Sequence, residues 1–215
     1  MERIICLAIG YAFGLFQTAY IYGRMHGIDI RQHGSGNAGT TNALRVLGRK
    51  AGLVVFLGDV LKCAAAVAVC MLLFSRQNED RIYLLKMYAA AGAILGHNFP
   101  FYLGFKGGKG IAATAGLILS LHPYFLPVGA IVFFSVFLLT HYVSLGSLLV
   151  YAAFLIQVIV CGQTGVFGTM TDAVRWEMYL LAAALTVMAY VKHAENIQRL
   201  LKGVERKTYL KKKES

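Results

Sequence analysis

The sequence predicts an all-α integral membrane protein: a seven-helix transmembrane bundle with its N-terminus outside and its C-terminus in the cytoplasm, forming a single transmembrane domain over residues 1–215. Three observations carry that prediction. The chain is 58% hydrophobic, with a mean hydropathy of +0.61. Only 14% of its residues are charged, against roughly 25% in soluble domains. Apolar runs of membrane length recur, and basic residues cluster beside them. A formal charge of +11 would suit a nucleic-acid partner, but its placement next to the apolar runs orients a chain in a lipid bilayer instead, so no nucleic acid is expected.

The first apolar run, Ile4 to about Tyr22, is longer than a signal-peptide core and ends in Gly-Arg-Met-His with no small-x-small cleavage site. It reads as a retained helix. The segment from Gly23 to Lys50 holds Arg24, Arg31, Arg45, Arg49 and Lys50 against one acid, Asp29, which places it in the cytoplasm and the N-terminus outside. A second helix, about Ala51 to Phe74, exits into Ser75 to Tyr83, where Arg76 and Arg81 are balanced by Glu79 and Asp80. That loop is external. A third helix, about Leu84 to Leu95, extends into Gly96-His97-Asn98-Phe99-Pro100 and brings the chain back to the cytoplasmic side.

The run from Ile111 to Thr140 is interrupted by Pro123 and Pro127. A parity argument decides how to read it. The basic loop at 23–50 and the Lys-rich tail, Lys192 to Ser215, with eight basic residues against three Glu, both belong in the cytoplasm, so an even number of crossings separates them. Helices two and three, with two more at about 144–161 and 177–191, make four. The run at 111–140 therefore crosses twice, as two short helices broken near His122-Pro123. The alternative is a re-entrant hairpin, giving five crossings in all. Cys6, Cys63 and Cys70 lie inside apolar runs, Cys161 lies at the end of one, and no C-x-x-C is present. Neither a zinc site nor a disulfide framework is indicated, and no metal or cofactor is expected.

This topology gathers three polar stretches on one face: Ser35 to Arg45, Gly96 to Gly110, and His193 to Lys207. The first contains Gly34, Gly36 and Gly39, which free the backbone to expose successive N–H groups. Ser35, Asn37, Thr40, Thr41 and Asn42 add short donors, and Arg45 adds a charge. Such a loop suits phosphate. Its G-x-G-x-x-G spelling is not a dinucleotide fingerprint, because a membrane-length helix precedes it where a short strand would be required. In the second stretch, Lys106-Gly107-Gly108-Lys109-Gly110 pairs glycines with ammonium groups at the start of a helix, without Walker A spacing. His97 precedes a turn forced by Pro100 and is open to a structural or a functional reading. In the third, His193 and Asn196 share one helical face. Asp59 and Lys62 sit inside the second helix, where a charge costs about 2.5 to 3.5 kcal/mol, so they pair at i, i+3 or face a polar cavity.

These stretches carry a resemblance. Gly34-Ser-Gly-Asn-Ala-Gly-Thr-Thr-Asn-Ala-Leu-Arg45, Gly96-His-Asn-Phe-Pro with Phe105-Lys-Gly-Gly-Lys-Gly110, and His193-Ala-Glu-Asn through Glu205-Arg-Lys207 resemble the three signature motifs of the bacterial acyl-phosphate:glycerol-3-phosphate acyltransferases, the PlsY type. Asp59-Val-Leu-Lys62 is similar to that family's second helix. Thr40, Ala113 and Cys63 stand where the family usually has Ala, Thr and Gly. The resemblance implies seven helices in the bacterial inner membrane with an active site open to the cytoplasm. It also implies transfer of a fatty acyl group from acyl phosphate to the 1-hydroxyl of glycerol 3-phosphate, giving lysophosphatidate and phosphate, with a partner enzyme that makes the acyl phosphate.

Carried over residue by residue, Ser35, Arg45, Lys109, His193 and Asn196 are the implied catalytic set. Gly36, Asn37, Gly39, Thr41, Asn42, Gly107 and Gly108 bind substrate phosphate, with Asp59, Lys62 and His97 in support. Which loop holds which phosphate stays open, as does whether His193 or a substrate phosphate takes the proton. An acyltransferase with an H-x-x-x-x-D pair is excluded, since no His has an Asp five residues on. A transporter of organic phosphate would also use cationic loops and is the rival from another class.

Overall fold

The computed structural model describes residues 1–77 and 79–209. Asn78, in the predicted external loop, and residues 210–215 of the basic tail lie outside the described residues. Ten α-helices and no strand occur among the described residues. Among these described residues, four segments are long and apolar enough to cross a membrane: Glu2–Met25, Arg49–Phe74, Val143–Gln163 and Asp172–Lys192.

The first run is not one helix. It divides into α1 (Glu2–Gly14) and α2 (Thr18–Met25), because the buried Gln17 turns its side chain into the break. Its Nε2 donates to the carbonyls of Gly14 at 3.1 Å, Gly96 at 3.1 Å and His97 at 3.2 Å. For the Gly14 carbonyl a side-chain amide thus replaces the backbone N–H that an unbroken helix would have supplied, and the same amide ties the break to Gly96 and His97. The basic segment that follows holds a further helix, α3 (Thr40–Leu47), which ends at Gly48 with φ of 89°. That left-handed residue folds α3 back on α4 (Arg49–Phe74), where Gly52 lies against Leu44.

The third predicted helix is α5 (Ile82–Asn98). The run at 111–140 divides into α6 (Ile111–Leu121) and α7 (Phe125–Thr140), with the break at His122 to Tyr124. Pro123 makes that break. Pro127 does not, because it falls in the first turn of α7, where a missing N–H breaks no helical hydrogen bond. At 11 residues α6 rises about 16 Å, against about 30 Å of bilayer core. The chain closes with α8 (Val143–Gln163), α9 (Asp172–Lys192) and a short α10 (Ala194–Leu201).

The centre of the bundle is the contact of α1 with α5. Gly10 and Gly14 on one helix meet Gly92 and Gly96 on the other, so the backbones touch: a Cβ on Gly10 would fall 1.9 Å from the Ala89 carbonyl oxygen, and one on Gly92 would fall 2.1 Å from that of Leu7. Small residues four apart permit this approach, which is how helices associate where water supplies no driving force. Gly10 faces Ala89 while Gly14 faces Ala93 and Gly96, so the two helices run in the same direction. At the Arg3 end of the bundle, Arg3 makes two hydrogen bonds to Glu177, at 2.6 and 2.8 Å, and Tyr88 donates to the same carboxylate at 2.8 Å. This contact ties α1, α9 and α5 together.

Candidate active site

At the other end of the bundle the three polar stretches meet. In the first, Asn42 organises the loop: its Oδ1 accepts from the Ser35 N–H at 2.8 Å, and its Nδ2 donates to the carbonyls of Ile30 at 3.1 Å and His33 at 2.9 Å. Gly34 has φ of 62°, and a Cβ there would strike Asn42 Oδ1 at 2.3 Å. Asn42 is therefore committed to holding the turn, while Ser35 lies exposed at its tip and Arg45 stands one turn into α3.

In the second stretch the glycines serve close packing. The Gly107 N–H donates to the Asn98 carbonyl at 3.3 Å and the Gly108 N–H to that of His97 at 3.1 Å. A Cβ on Gly107 would lie 2.0 Å from the His97 carbonyl oxygen, and one on Gly108 would lie 2.1 Å from His97 Nε2 and 2.8 Å from the Ala38 carbonyl oxygen. Lys109 is thereby delivered to the third stretch, where its Nζ donates to Asn196 Oδ1. Burial, assisted by the nearby Arg199, lowers the Lys109 pKa below the ordinary lysine value.

In the third stretch Asn196 Nδ2 donates to Glu205 Oε1 at 2.7 Å, Ser144 donates to the same oxygen at 2.9 Å, and Arg199 Nε donates to Glu205 Oε2 at 2.7 Å. Burial pushes the Glu205 carboxyl up, but these three donors outweigh it and leave its pKa lowered. Residues 204–208 then cross back: Arg206 donates to the Gly34 carbonyl at 3.3 Å, and the Thr208 N–H donates to that of His141 at 2.9 Å. His193 is 4% exposed and shares a hydrogen bond of 2.8 Å between Nδ1 and the Ala189 carbonyl. A carbonyl can only accept, so Nδ1 carries the proton and Nε2 keeps its lone pair. Burial, against that hydrogen bond, lowers the imidazole to about 4.

All three stretches line one cleft of about 1210 Å³. Its wall includes Ser35, Arg45, Lys109, His193 and Asn196, together with Gly36, Asn37, Gly39, Thr41 and Asn42. Gly107, Gly108 and Lys62 stand behind the wall. Asp59 and His97 line the cleft, and Lys62 holds them there. Lys62 Nζ is 2.8 Å from Asp59 Oδ1 and 2.9 Å from His97 Nδ1, and it donates to the Phe16 carbonyl at 2.7 Å. Thr18 donates to Asp59 Oδ1 at 3.0 Å. Asp59 and Lys62 thus satisfy both readings of the sequence, as a buried ion pair whose acid faces a polar cavity. Six cationic residues line the cleft (Arg45, Arg49, Lys109, Lys192, Arg199, Arg206) against three acids (Asp59, Glu195, Glu205). Among the described residues, Arg45 and Lys109 form no ion pair.

The anchor of the third stretch and the particular residues of the apolar wall escaped the sequence reading. Glu205 anchors the third stretch, and the available signal was its standing as the one acid between Arg199 and Lys207. The cleft also has an apolar side, formed by Leu53 and Phe56 of α4 and Phe133, Phe134 and Phe137 of α7. Leu53 and Phe134 are 59% and 53% exposed, so that side opens through the flank of the bundle.

A family model described as glycerol-3-phosphate acyltransferase matches residues 4–203. A glycerol-3-phosphate acyltransferase of Clostridioides difficile (strain 630) is 39% identical over 210 residues, covering 97% of each chain. One from Halalkalibacterium halodurans is 39% identical over 214 residues, covering 99% of this chain and 98% of its own. Among solved structures, that of PlsY (YgiH), an integral membrane glycerol 3-phosphate acyltransferase in its glycerol 3-phosphate form, superposes with a TM-score of 0.82 at 28% identity, covering 97% of this chain and 96% of that one. Its lysophosphatidic acid form gives a TM-score of 0.80 at 27% identity.

Proposed function

The chain belongs to the glycerol-3-phosphate acyltransferase family, and from that premise we propose that it moves a fatty acyl group from acyl phosphate to the 1-hydroxyl of glycerol 3-phosphate, releasing phosphate and lysophosphatidate. The observation that carries this reading is a single cleft with a cationic end, where Arg45 and Lys109 form no ion pair among the described residues, and an apolar end open to the flank between α4 and α7. Two anionic head groups fit the first, and an acyl chain lying partly in lipid fits the second.

An acyl phosphate is a mixed anhydride and already activated, so the reaction requires placement and charge compensation and no protein nucleophile. The glycerol oxygen attacks the acyl carbonyl carbon, the bond from that carbon to the phosphate oxygen breaks, and the departing phosphate takes the hydroxyl proton. Arg45, Lys109, Ser35, Asn37 and Thr41 hold the phosphates. His193, neutral near pH 7, accepts a hydrogen bond from the attacking hydroxyl through Nε2 as the substrate binds and so orients it; the O–H then turns from Nε2 to the phosphate oxygen that takes its proton as the ester bond forms, while Asn196 is held in register by Glu205. The site faces the cytoplasm of a bacterial inner membrane under seven crossings with the N-terminus outside, and a separate enzyme supplies the acyl phosphate.

The donor is tested by giving purified protein glycerol 3-phosphate with acyl phosphate or with acyl-CoA and measuring lysophosphatidate and released phosphate. Product from acyl phosphate alone is the expected result; equal use of acyl-CoA overturns the donor assignment. For orientation, His33→Cys and Gly168→Cys variants are labelled in intact cells with an impermeant thiol reagent. Labelling at 168 and protection at 33 are expected, and labelling at 33 from outside overturns the cytoplasmic site.

A further inference from the structure

Three buried polar atoms on the cleft wall lack a hydrogen-bond partner among the described residues: Thr40 Oγ1, Asp59 Oδ2 and Thr208 Oγ1. The two hydroxyls can each donate or accept. Asp59 Oδ2 differs, because an ionised carboxylate oxygen can only accept. Its twin Oδ1 receives Lys62 at 2.8 Å and Thr18 at 3.0 Å, with His97 Nδ1 at 3.6 Å. The side chain is 1% exposed and is fixed by these contacts, so the second oxygen is a placed acceptor with no donor. A buried acceptor left in that state is costly, which makes it a strong selector for whatever supplies the missing donor.

Few groups in the reaction can supply one. An acyl phosphate offers anionic oxygens, a carbonyl and a hydrocarbon chain; none donates to a carboxylate, and the phosphate is repelled by it. The phosphate of glycerol 3-phosphate is repelled likewise. Only the two glycerol hydroxyls donate, and the cleft wall sets the neutral imidazole of His193 and the buried carboxylate of Asp59 beside hydroxyls that can donate as well as accept; Asp59 Oδ2 alone of the three unpartnered wall atoms can do nothing but accept. The 1-hydroxyl is the attacking group and belongs with His193.

We infer that Asp59 Oδ2 accepts a hydrogen bond from the 2-hydroxyl of glycerol 3-phosphate and is the group by which the site distinguishes a glycerol phosphate from a phosphate ester lacking that donor. The inference rests on the acyl-acceptor assignment above. Lys62 serves it by position: it ties Oδ1 to the Phe16 carbonyl and thereby leaves Oδ2 as the unpartnered oxygen of a carboxylate that lines the cleft. A ketone at the same carbon, as in dihydroxyacetone phosphate, offers only an acceptor and faces the carboxylate unfavourably.

The experiment measures kcat/KM with acyl phosphate for glycerol 3-phosphate and for its 2-deoxy analogue, propane-1,3-diol monophosphate, in the parent protein and in Asp59→Asn and Asp59→Ala. The parent is expected to prefer glycerol 3-phosphate by about 10- to 100-fold, the range of a hydrogen bond to a charged group. In the variants that ratio is expected to shrink to within about threefold, even where absolute activity falls, because a purely structural defect lowers both substrates together. A parent ratio within about threefold overturns the inference without any variant. A parent preference that persists in Asp59→Asn assigns the 2-hydroxyl to another group and overturns it equally. A parent that makes no lysophosphatidate from glycerol 3-phosphate defeats the acceptor assignment itself, and the inference falls with it.

Discussion

Arg3 and Lys109 lie at opposite ends of the same bundle, and they differ in what surrounds them. Arg3 meets a carboxylate on two of its nitrogens, and that carboxylate is further satisfied by Tyr88, so every strong group there has a partner within the protein. Lys109 and Arg45 meet no carboxylate among the described residues. Lys109 rests on a neutral amide that is itself held by Glu205. About 24 Å of α9 separates Glu177 from His193, so the Arg3 cluster is closed, while the cleft end holds, beside its own ion pairs Arg199–Glu205 and Lys62–Asp59, two cations left open. Closed charge stabilises; open charge waits for a ligand. The comparison is broken if the two ends respond alike to mutation.

The largest contrast concerns the open cations. A unit charge about 4 Å from another is worth about 4 kcal/mol at an effective dielectric of 20, and losing one of several phosphate contacts is expected to cost about 2 to 4 kcal/mol. Arg45→Ala and Lys109→Ala are therefore expected to lower kcat/KM by roughly 30- to 1000-fold while leaving thermal stability in detergent unchanged. Activity within a few-fold of the parent removes either residue from the phosphate site.

A somewhat smaller effect is expected one step behind the cleft. Gly108→Ala forces a methyl group onto His97 Nε2 and the Ala38 carbonyl, and the loop must shift to admit it. Misplacing Lys109 by about 1 Å is expected to cost on the order of 100-fold in rate. A Gly108→Ala protein with parental kcat/KM shows that the loop tolerates displacement and that the close approach is not what positions Lys109.

How much of this was legible in the sequence depends on which kind of residue carried it. Hydropathy and charge placed the long helices and the turn at His122-Pro123 well, because desolvation and a missing N–H act locally. The break at Gln17 was invisible, because it depends on the Gly96 and His97 carbonyls, about 80 residues away in the chain. The α3 helix was hidden in a stretch read as loop. The polar loop residues on the cleft wall were picked out by their chemistry, while Gly107 and Gly108, expected as phosphate ligands, lie behind that wall and pack against His97. A glycine that accommodates a ligand and one that accommodates a neighbouring backbone have the same spelling. Glu205 was missed because its role comes from burial between Ser144, Asn196 and Arg199, and a tail rich in Lys and Arg gives no hint of a buried acid.

The pH response sharpens the comparison at His193. Its pKa falls from 6.5 unfolded to about 4 folded, so the unfolded chain binds more protons between those values and stability declines as pH falls from about 6.5 towards 4. Fully expressed below 4, the loss is about 3 kcal/mol. His193→Gln is expected to flatten that part of the pH–stability curve. The same variant keeps a hydrogen-bonding amide but no proton-accepting imidazole, so it is expected to retain activity within about tenfold while His193→Ala falls further. If both collapse by the 10²- to 10⁴-fold of a lost general base, His193 is the proton acceptor and its role as an orienting group is wrong.

The smallest effect is expected at the closed end. Arg3→Met and Glu177→Gln each leave a partner unmatched, but the side chains are 32% and 29% exposed, so solvent screens part of the interaction and the coupling is modest. A double-mutant cycle on thermal stability is expected to return about 1 kcal/mol of coupling, equivalent to a few degrees in a chain of this size. Activity should remain near parental in all three variants, because nothing in this cluster reaches the cleft. If Arg3→Met instead reduces kcat/KM as strongly as Lys109→Ala at unchanged stability, the far end governs the site through α1 and α5, whose glycine faces allow no slack, and the division into closed and open charge fails as an account of where this protein keeps its chemistry.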